Sequence, residues 1–355
     1  MKTENENNIN TGMSCPVPIR DYKQILMAHG GGGSLSHQLI SELFVKVFDN
    51  PALNLQHDGA ILDISSTKLA FTTDSYVINP IFFPGGDIGS LAVNGTVNDL
   101  SVCGAKPLFI SAGFIIEEGF RIEELWKISL SMKQAADDAG VQIVTGDTKV
   151  VEKGKGDKIF INTAGIGIID NDVNISPLNC KPGDVIIING SIAEHGIAIL
   201  SKREGFEFES EIVSDCCPLN GLVQNILTIS KNIRTMRDAT RGGVATVLNE
   251  IAMSSNLGIV IEENKIPVKD NVKSGCEILG FDPLYVANEG KVLIIVSTED
   301  AEKVLQVMKN HPYGNDSAII GNLVEENPGM VVMKTIVGTT RVVDMLSGEQ
   351  LPRIC

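Results

Sequence analysis

Apolar and polar positions alternate over 60–64 and again over 68–73, with Ser65 and Ser66 between them. Such alternation puts successive side chains on opposite faces of an extended chain, so the two runs predict strands joined as a hairpin. The apolar run 108–116 predicts another strand, and 141–145 and 158–169 predict two more. Between them Ile122, Leu125, Trp126, Met132 and Ala136 recur at helical spacing, which predicts an amphipathic helix with these residues on one side. Phe83-Pro84-Gly85-Gly86-Asp87 reads as a turn that opens a small-residue helix reaching Asn98-Asp99-Leu100, and 36–48 reads as a helix.

The chain turns loop-like from Ser176-Pro177 to Pro182-Gly183, and a domain boundary is set there. Beyond it 185–188 predicts a strand and 192–202 a helix, and Val244, Val247, Leu248 and Ile251 form a helical stripe. Further strands are expected at 259–262, 291–296, 317–323 and 330–343. Strands and helices interleave in both halves without the regular beat of a doubly wound sheet. The expectation is two mixed domains of the α+β class, 23–175 and 176–343. A length of 355 residues suits two domains. The polar stretch 1–22 reads as a mobile extension. Residues 344–355 read as an extended tail, because Pro352 blocks helix and biases its predecessor toward extended backbone.

With 43% hydrophobic and 21% charged residues the chain can bury a sizeable core and stay in solution. It holds no apolar run of about eighteen residues, and residues 1–10 carry neither a basic nor an apolar leader region. A cytoplasmic protein without membrane contact is expected. The net charge of −15 argues against a nucleic-acid partner, which needs clustered Lys and Arg. The seven cysteines are irregularly spaced and form no CxxC, which argues against a disulfide frame or a zinc site.

Five carboxylates, Asp58, Asp74, Asp99, Asp147 and Asp238, stand in Gly-, Thr- or Asn-rich settings at element ends. Carboxylates from separate segments suit Mg²⁺ bridging phosphates, although Asp and Gly also gather in ordinary turns. Gly30-Gly31-Gly32-Gly33 offers a row of backbone amides to phosphate, or is a plain linker. Neither GxxxxGK[ST] nor GxGxxG is present. Arg237-Asp238-Ala239-Thr240-Arg241-Gly242-Gly243 leads into the helical stripe, where open amides would face an anion or an ordinary cap. Glu289, in Asn288-Glu289-Gly290-Lys291, is either a general base or a turn residue. The chain ends on Cys355, a thiol at the tip of its tail.

Taken together these segments resemble the HypE family of hydrogenase maturation proteins. The likeness is carried by His29–Ser34, Phe71-Thr72-Thr73-Asp74-Ser75, Phe82–Asp87, Gly95-Thr96-Val97-Asn98-Asp99-Leu100 and Gly146-Asp147-Thr148-Lys149. It continues through 238–250, Ala287-Asn288-Glu289-Gly290-Lys291 and the closing Pro352-Arg353-Ile354-Cys355, so it spans roughly 26–355. The aspartate motifs are shared with a wider ATP-using superfamily that includes aminoimidazole ribonucleotide synthetase, selenophosphate synthetase and thiamine monophosphate kinase; the terminal Pro-Arg-Ile-Cys is particular to HypE. Ala193-Glu194-His195-Gly196 departs from the usual Gly-Asp-His-Gly, Cys103 replaces an aliphatic residue or Met, and 1–22 has no counterpart.

The resemblance implies two PurM-like (aminoimidazole ribonucleotide synthetase-like) domains, the N-terminal one binding ATP and dimerising through its strands. It implies ATP contacts from Gly31, Gly32, Asp74, Asn98, Thr148, Arg241 and Gly242, and Mg²⁺ held by Asp58, Asp99, Asp147 and Asp238. A HypF-type carbamoyltransferase would load Cys355, and ATP-dependent dehydration would leave a thiocyanate there. Glu289 would act as base and Lys149 would steady developing charge. The cyano group would pass to iron on a HypC–HypD scaffold. The alternative is a small-molecule ATP-dependent synthetase or kinase of the same superfamily, in which the tail is expendable.

Overall fold

Two sheets organise the chain in this computed structural model, which describes residues 29, 33–48, 50–64, 67–206 and 211–347. The extension 1–22, Gly31, Gly32 and Cys355 lie outside the described residues. The helix predicted over 36–48 is met as α1 (Ser34–Leu39), a π-helical turn (Ile40–Phe44) and α2 (Val45–Phe48), followed by α3 (Pro51–Asn54).

The predicted hairpin is β1 (Ala60–Ile64) and β2 (Thr67–Tyr76). A small ribbon, β3 (Phe82–Phe83) and β4 (Gly86–Asp87), leads into α4 (Ile88–Val102). The Asp87 side chain starts that helix by accepting from the amides of Gly89 and Ser90, and the Asp87 amide donates to Ser90 Oγ. Then come β5 (Ala105–Glu117), α5 (Ile122–Ala139), β6 (Gln142–Val151) and β7 (Ile159–Ile169). The sheet order is β1-β2-β7-β5-β6, with only β5 and β6 parallel. Helix α4 lies close on one face: a Cβ at Gly165 of β7 would meet Thr96 Cγ2 at 2.7 Å. The other face leaves Phe71, Phe109, Ile115, Ile166 and Ile168 exposed.

The second sheet, β14-β13-β10-β12-β8-β11-β9, is antiparallel except for β10 with β13. In chain order its domain runs β8 (Val185–Ile188), α6 (Glu194–Glu204), α7 (Asn220–Ile229), β9 (Ile233–Asp238) and α8 (Gly243–Ser255). It continues β10 (Gly258–Glu262), α9 (Asp270–Leu279), β11 (Val292–Val296), α10 (Thr298–Lys309), β12 (Ala318–Val324), β13 (Val331–Lys334) and β14 (Thr340–Val342). Every residue of β11 is buried, because apolar side chains pack on both faces: Leu293 and Ile295 in one core cluster, Val292, Ile294 and Val296 in the other. Helix α4 of the first domain packs against β9 and α7 of the second, which sets the two domains around one cleft.

Several expectations need correcting. In α5 the buried positions are Ile128, Met132, Ala135, Ala136 and Ala139, while Ile122 and Trp126 are 79% and 64% exposed. Leu125, partly buried, also packs on the core, so only the start of that helix and its Trp126 side stand clear of it. The strand expected at 141–145 runs on as β6 to Val151, so Asp147, Thr148 and Lys149 sit within an exposed edge strand rather than at its end. The run 330–343 is two strands, β13 and β14, split by a turn in which the Thr335 amide donates to the Thr339 carbonyl. The tail expected from 344 is held over its first residues: Tyr285 donates its hydroxyl to the Asp344 carbonyl, and the Ser34 amide donates to Leu346 at 2.9 Å.

Candidate functional site

The end of β2, the last turns of α4, the β9–α8 turn and the approach to β11 converge on the interdomain cleft. Asp74 and Tyr76 enter it from β2, Asp99 from α4, Asp238 and Arg241 from β9 and its turn, and Glu289 from the head of β11. Thr72 donates its hydroxyl toward Asp99 at 2.8 Å. Arg241 approaches Asp74 at 3.9 Å. Behind the cleft the Asp58 carboxylate meets Arg237 at 2.6 Å, and Arg237 also holds Glu250 at 2.7 Å.

Crowding of acids sets the electrostatics. Burial pushes the Asp99 carboxyl well above the usual carboxylate range, and Asp238, Asp74 and Asp58 push it further. Burial, then Asp58, raise Asp238 to about 7 against the pull of Arg237. Burial, then Asp215, Asp238 and Asp74, hold Glu289 well above its ordinary value. Such a cluster calls for protons or a cation. Among the described residues no three acidic, His or Cys side chains form a ready metal cage.

The α8 N-terminus opens beside these groups. Gly242, at φ +75°, caps it with backbone alone, and a Cβ there would meet Thr246 Oγ1 at 2.2 Å. With no side chain on its first amides, this helix start can receive an anion.

Two predicted parts stand elsewhere. Asp74 pairs across β2 and β7 with Thr163, Thr163 across β7 and β5 with Ala112, and Ala112 across β5 and β6 with Gly146. Asp147 therefore lies three strand spacings from Asp74, roughly 14 Å. There it pairs with Lys149 at 2.5 Å, both largely exposed. Asn98 does not face the cleft through a free polar group. Its Nδ2 donates to the carbonyls of Cys217 (3.1 Å) and Glu289 (3.2 Å), and its Oδ1 accepts from the Leu219 amide at 2.8 Å. It is a joint between domains.

A family model described as AIR synthase related protein, N-terminal domain, matches 56–169, and its C-terminal counterpart matches 181–334. Carbamoyl dehydratase HypE of Cupriavidus necator is 49% identical over 348 residues, covering 98% of this chain and 99% of its own length, so it matches part of 1–22, for which no counterpart was expected. The chain belongs to the HypE family. A solved HypE–HypF complex is similar at 52% identity and TM-score 0.83, covering 87% of this chain and 99% of the HypE-like chain. A solved HypE in complex with ATP is similar at 48% identity and TM-score 0.79, covering 94% and 100%. The resemblance drawn from the motifs, the two PurM-like domains and an enzyme of the carbamoyl dehydratase kind are thereby borne out.

Within this HypE chain the fold brings together Asp74, Asp99, Asp238, Arg241 and Glu289, with Asp58 behind them and Gly242 beside them. It leaves Asp147, Thr148 and Lys149 apart. Asp215, buried beside Glu289, went unread because Ser214-Asp215-Cys216-Cys217 carries no recognisable pattern. No helix among the described residues is long and apolar enough to cross a membrane.

Proposed function

We propose that this chain dehydrates an S-carboxamide on its own Cys355 to a thiocyanate, using ATP, and so supplies the cyanide ligand of [NiFe] hydrogenase iron. The observation that carries the reading is Glu289: 8% exposed, kept basic by burial and neighbouring carboxylates, and lining the cleft with Asp74, Asp99, Asp238 and Arg241. A carboxylate whose proton affinity is raised by burial and neighbouring charge is a stronger base, which suits removal of amide protons.

Bound with Mg²⁺, ATP supplies the phosphoryl group that turns the amide oxygen into a leaving group. Asp99 and Asp238 would hold the metal; Asp58 is drawn to Arg237 and supports them from behind. Arg241 and the open start of α8 would face the phosphates. Glu289 takes one proton from the amide nitrogen, the amide oxygen leaves on phosphate as the second N–H proton is released, and the products are the thiocyanate, ADP, phosphate and a proton. ATP use draws support from the HypE relative solved with ATP, and a HypF-type carbamoyltransferase as loading partner from the relative solved as a HypE–HypF complex. The cyano group would go on to iron on a HypC–HypD scaffold, and the protein would work in the cytoplasm.

The anchored chain at Leu346 leaves nine residues to Cys355, roughly 30 Å when extended at about 3.3 Å each. A tail of that length would serve a loaded thiol that visits both a partner and its own cleft. The apolar outer face of the first sheet supports a homodimer through those strands. Lys149 and Asp147 stand outside the cleft of their own chain, so their roles in steadying charge and holding metal require a second copy to bring them in. Glu289→Gln tests the base directly. The variant should be carbamoylated normally by the HypF-type partner and yield little thiocyanate; unimpaired thiocyanate formation would remove Glu289 as the base.

A further inference from the structure

The peptide carrying Glu289 is gripped from two sides. Its carbonyl accepts from Asn98 of the other domain, at 3.2 Å. Its amide donates to Asp215 Oδ1 at 3.1 Å, and the next amide, of Gly290, donates to Asp215 Oδ2 at 3.3 Å. One carboxylate thus holds two successive backbone N–H groups, an arrangement that fixes a loop strongly because the acceptor is charged. The approach is close enough to require glycine: a Cβ on Gly290 would stand 1.9 Å from the Asp215 carbonyl oxygen.

The Asp215 side chain is 2% exposed and has a buried counter-ion, Lys291, at 2.9 Å. Lys291 in turn lies 3.5 Å from Glu194, which also pairs with Lys269 near the surface. Burial pushes Asp215 up, and Lys291, His195 and the Glu289 amide outweigh it, so the carboxyl stays below its ordinary value and charged. A buried ion pair adds little stability over apolar residues of the same volume. Its use here is directional, since it aims two amides.

We infer that Asp215, with Lys291 as its counter-ion, is a positioning residue that fixes the Glu289 peptide and thereby aims the Glu289 carboxylate at the amide nitrogen. The inference rests on the reading of Glu289 as base. A general base works within about 2.6–3.2 Å of its proton, and a misplacement of about 1 Å costs on the order of 10²-fold. Asp215→Asn keeps the volume and leaves an amide that can accept from one of the two N–H groups. Asp215→Asn/Lys291→Gln removes both charges, so that no unpaired charge is buried if the single variant folds poorly.

The experiment is single-turnover dehydration of the fully carbamoylated chain with Mg-ATP, run beside Glu289→Gln. Both Asp215 variants should slow thiocyanate formation by 10-fold to about 10²-fold, with carbamoyl loading and ATP half-saturation unchanged. A wild-type dehydration rate in the double variant, with Glu289→Gln inactive, overturns the positioning role and leaves the base in place. A loss that falls equally on loading, ATP half-saturation and dehydration also overturns it, because that marks general damage. A fully active Glu289→Gln overturns the base and the positioning role together.

Discussion

Asp238, at the end of β9, shares its cleft with Asp99, and burial together with neighbouring carboxylates raises both. A carboxyl raised in the folded chain binds its proton there more tightly than in the unfolded chain. It therefore supports folding fully below its unfolded value near 4, and that support is lost as pH climbs through about 7. Buried His57 and His195, lowered by burial, add the opposite slope below about pH 6.5, so the comparison is best made against Asp238→Asn. In metal-free buffer that variant should gain on the parent as pH rises from 5 to 8, by on the order of a few kcal/mol. Added Mg²⁺ should narrow the gap. Thermal midpoints read this directly, and a gap that shrinks with pH before metal is added would contradict it. The acids were legible in the sequence because each stands in a marked setting such as Thr-Thr-Asp-Ser or Asn-Asp. Asp215 was not: its function depends on a contact with residues 74 positions away, which only folding brings about.

β1 and β2 were readable by their alternation, and β8 and β11 as short continuous apolar runs. Elements failed where the pattern has another cause. Trp126 and Ile122 continue the apolar spacing of α5 but sit on its exposed side, and α7, β9, α9 and α10 were not separated from the surrounding loops. The strand was expected over 141–145, yet it continues through Gly146, where a Cβ would stand 2.3 Å from the Ala112 carbonyl oxygen, so the glycine serves close strand contact. On the outer face of the first sheet Phe71, Ile166 and Phe109 lie directly opposite one another across β2, β7 and β5. All three are at least 40% exposed. If this face joins two copies, Ile166→Lys puts a charge at the centre of the interface. The dimer should then weaken by roughly 2 kcal/mol or more, over tenfold in Kd, with the fold kept. Sedimentation at graded concentrations measures it, and an unchanged dimer would assign the contact to another surface.

Two mixed domains were foreseeable from length and interleaving, and the boundary near 176–183 falls between β7 and β8. What the sequence did not disclose is how the domains meet. Helix α4 packs on β9 and α7, and Asn98 ties the two halves by three hydrogen bonds, so that Glu289 and Asp99 share one cleft. The Ser34 amide holds the chain at Leu346, and the proposed self-modification would carry Cys355 from that point. The most direct measurement is intact and peptide mass of the full chain after incubation with a HypF-type partner, carbamoyl phosphate and Mg-ATP. The account predicts a carbamoyl adduct on the C-terminal peptide that subsequently loses one water. An unmodified tail, with ATP still consumed in the presence of an added metabolite, would contradict it and favour a small-molecule synthetase or kinase.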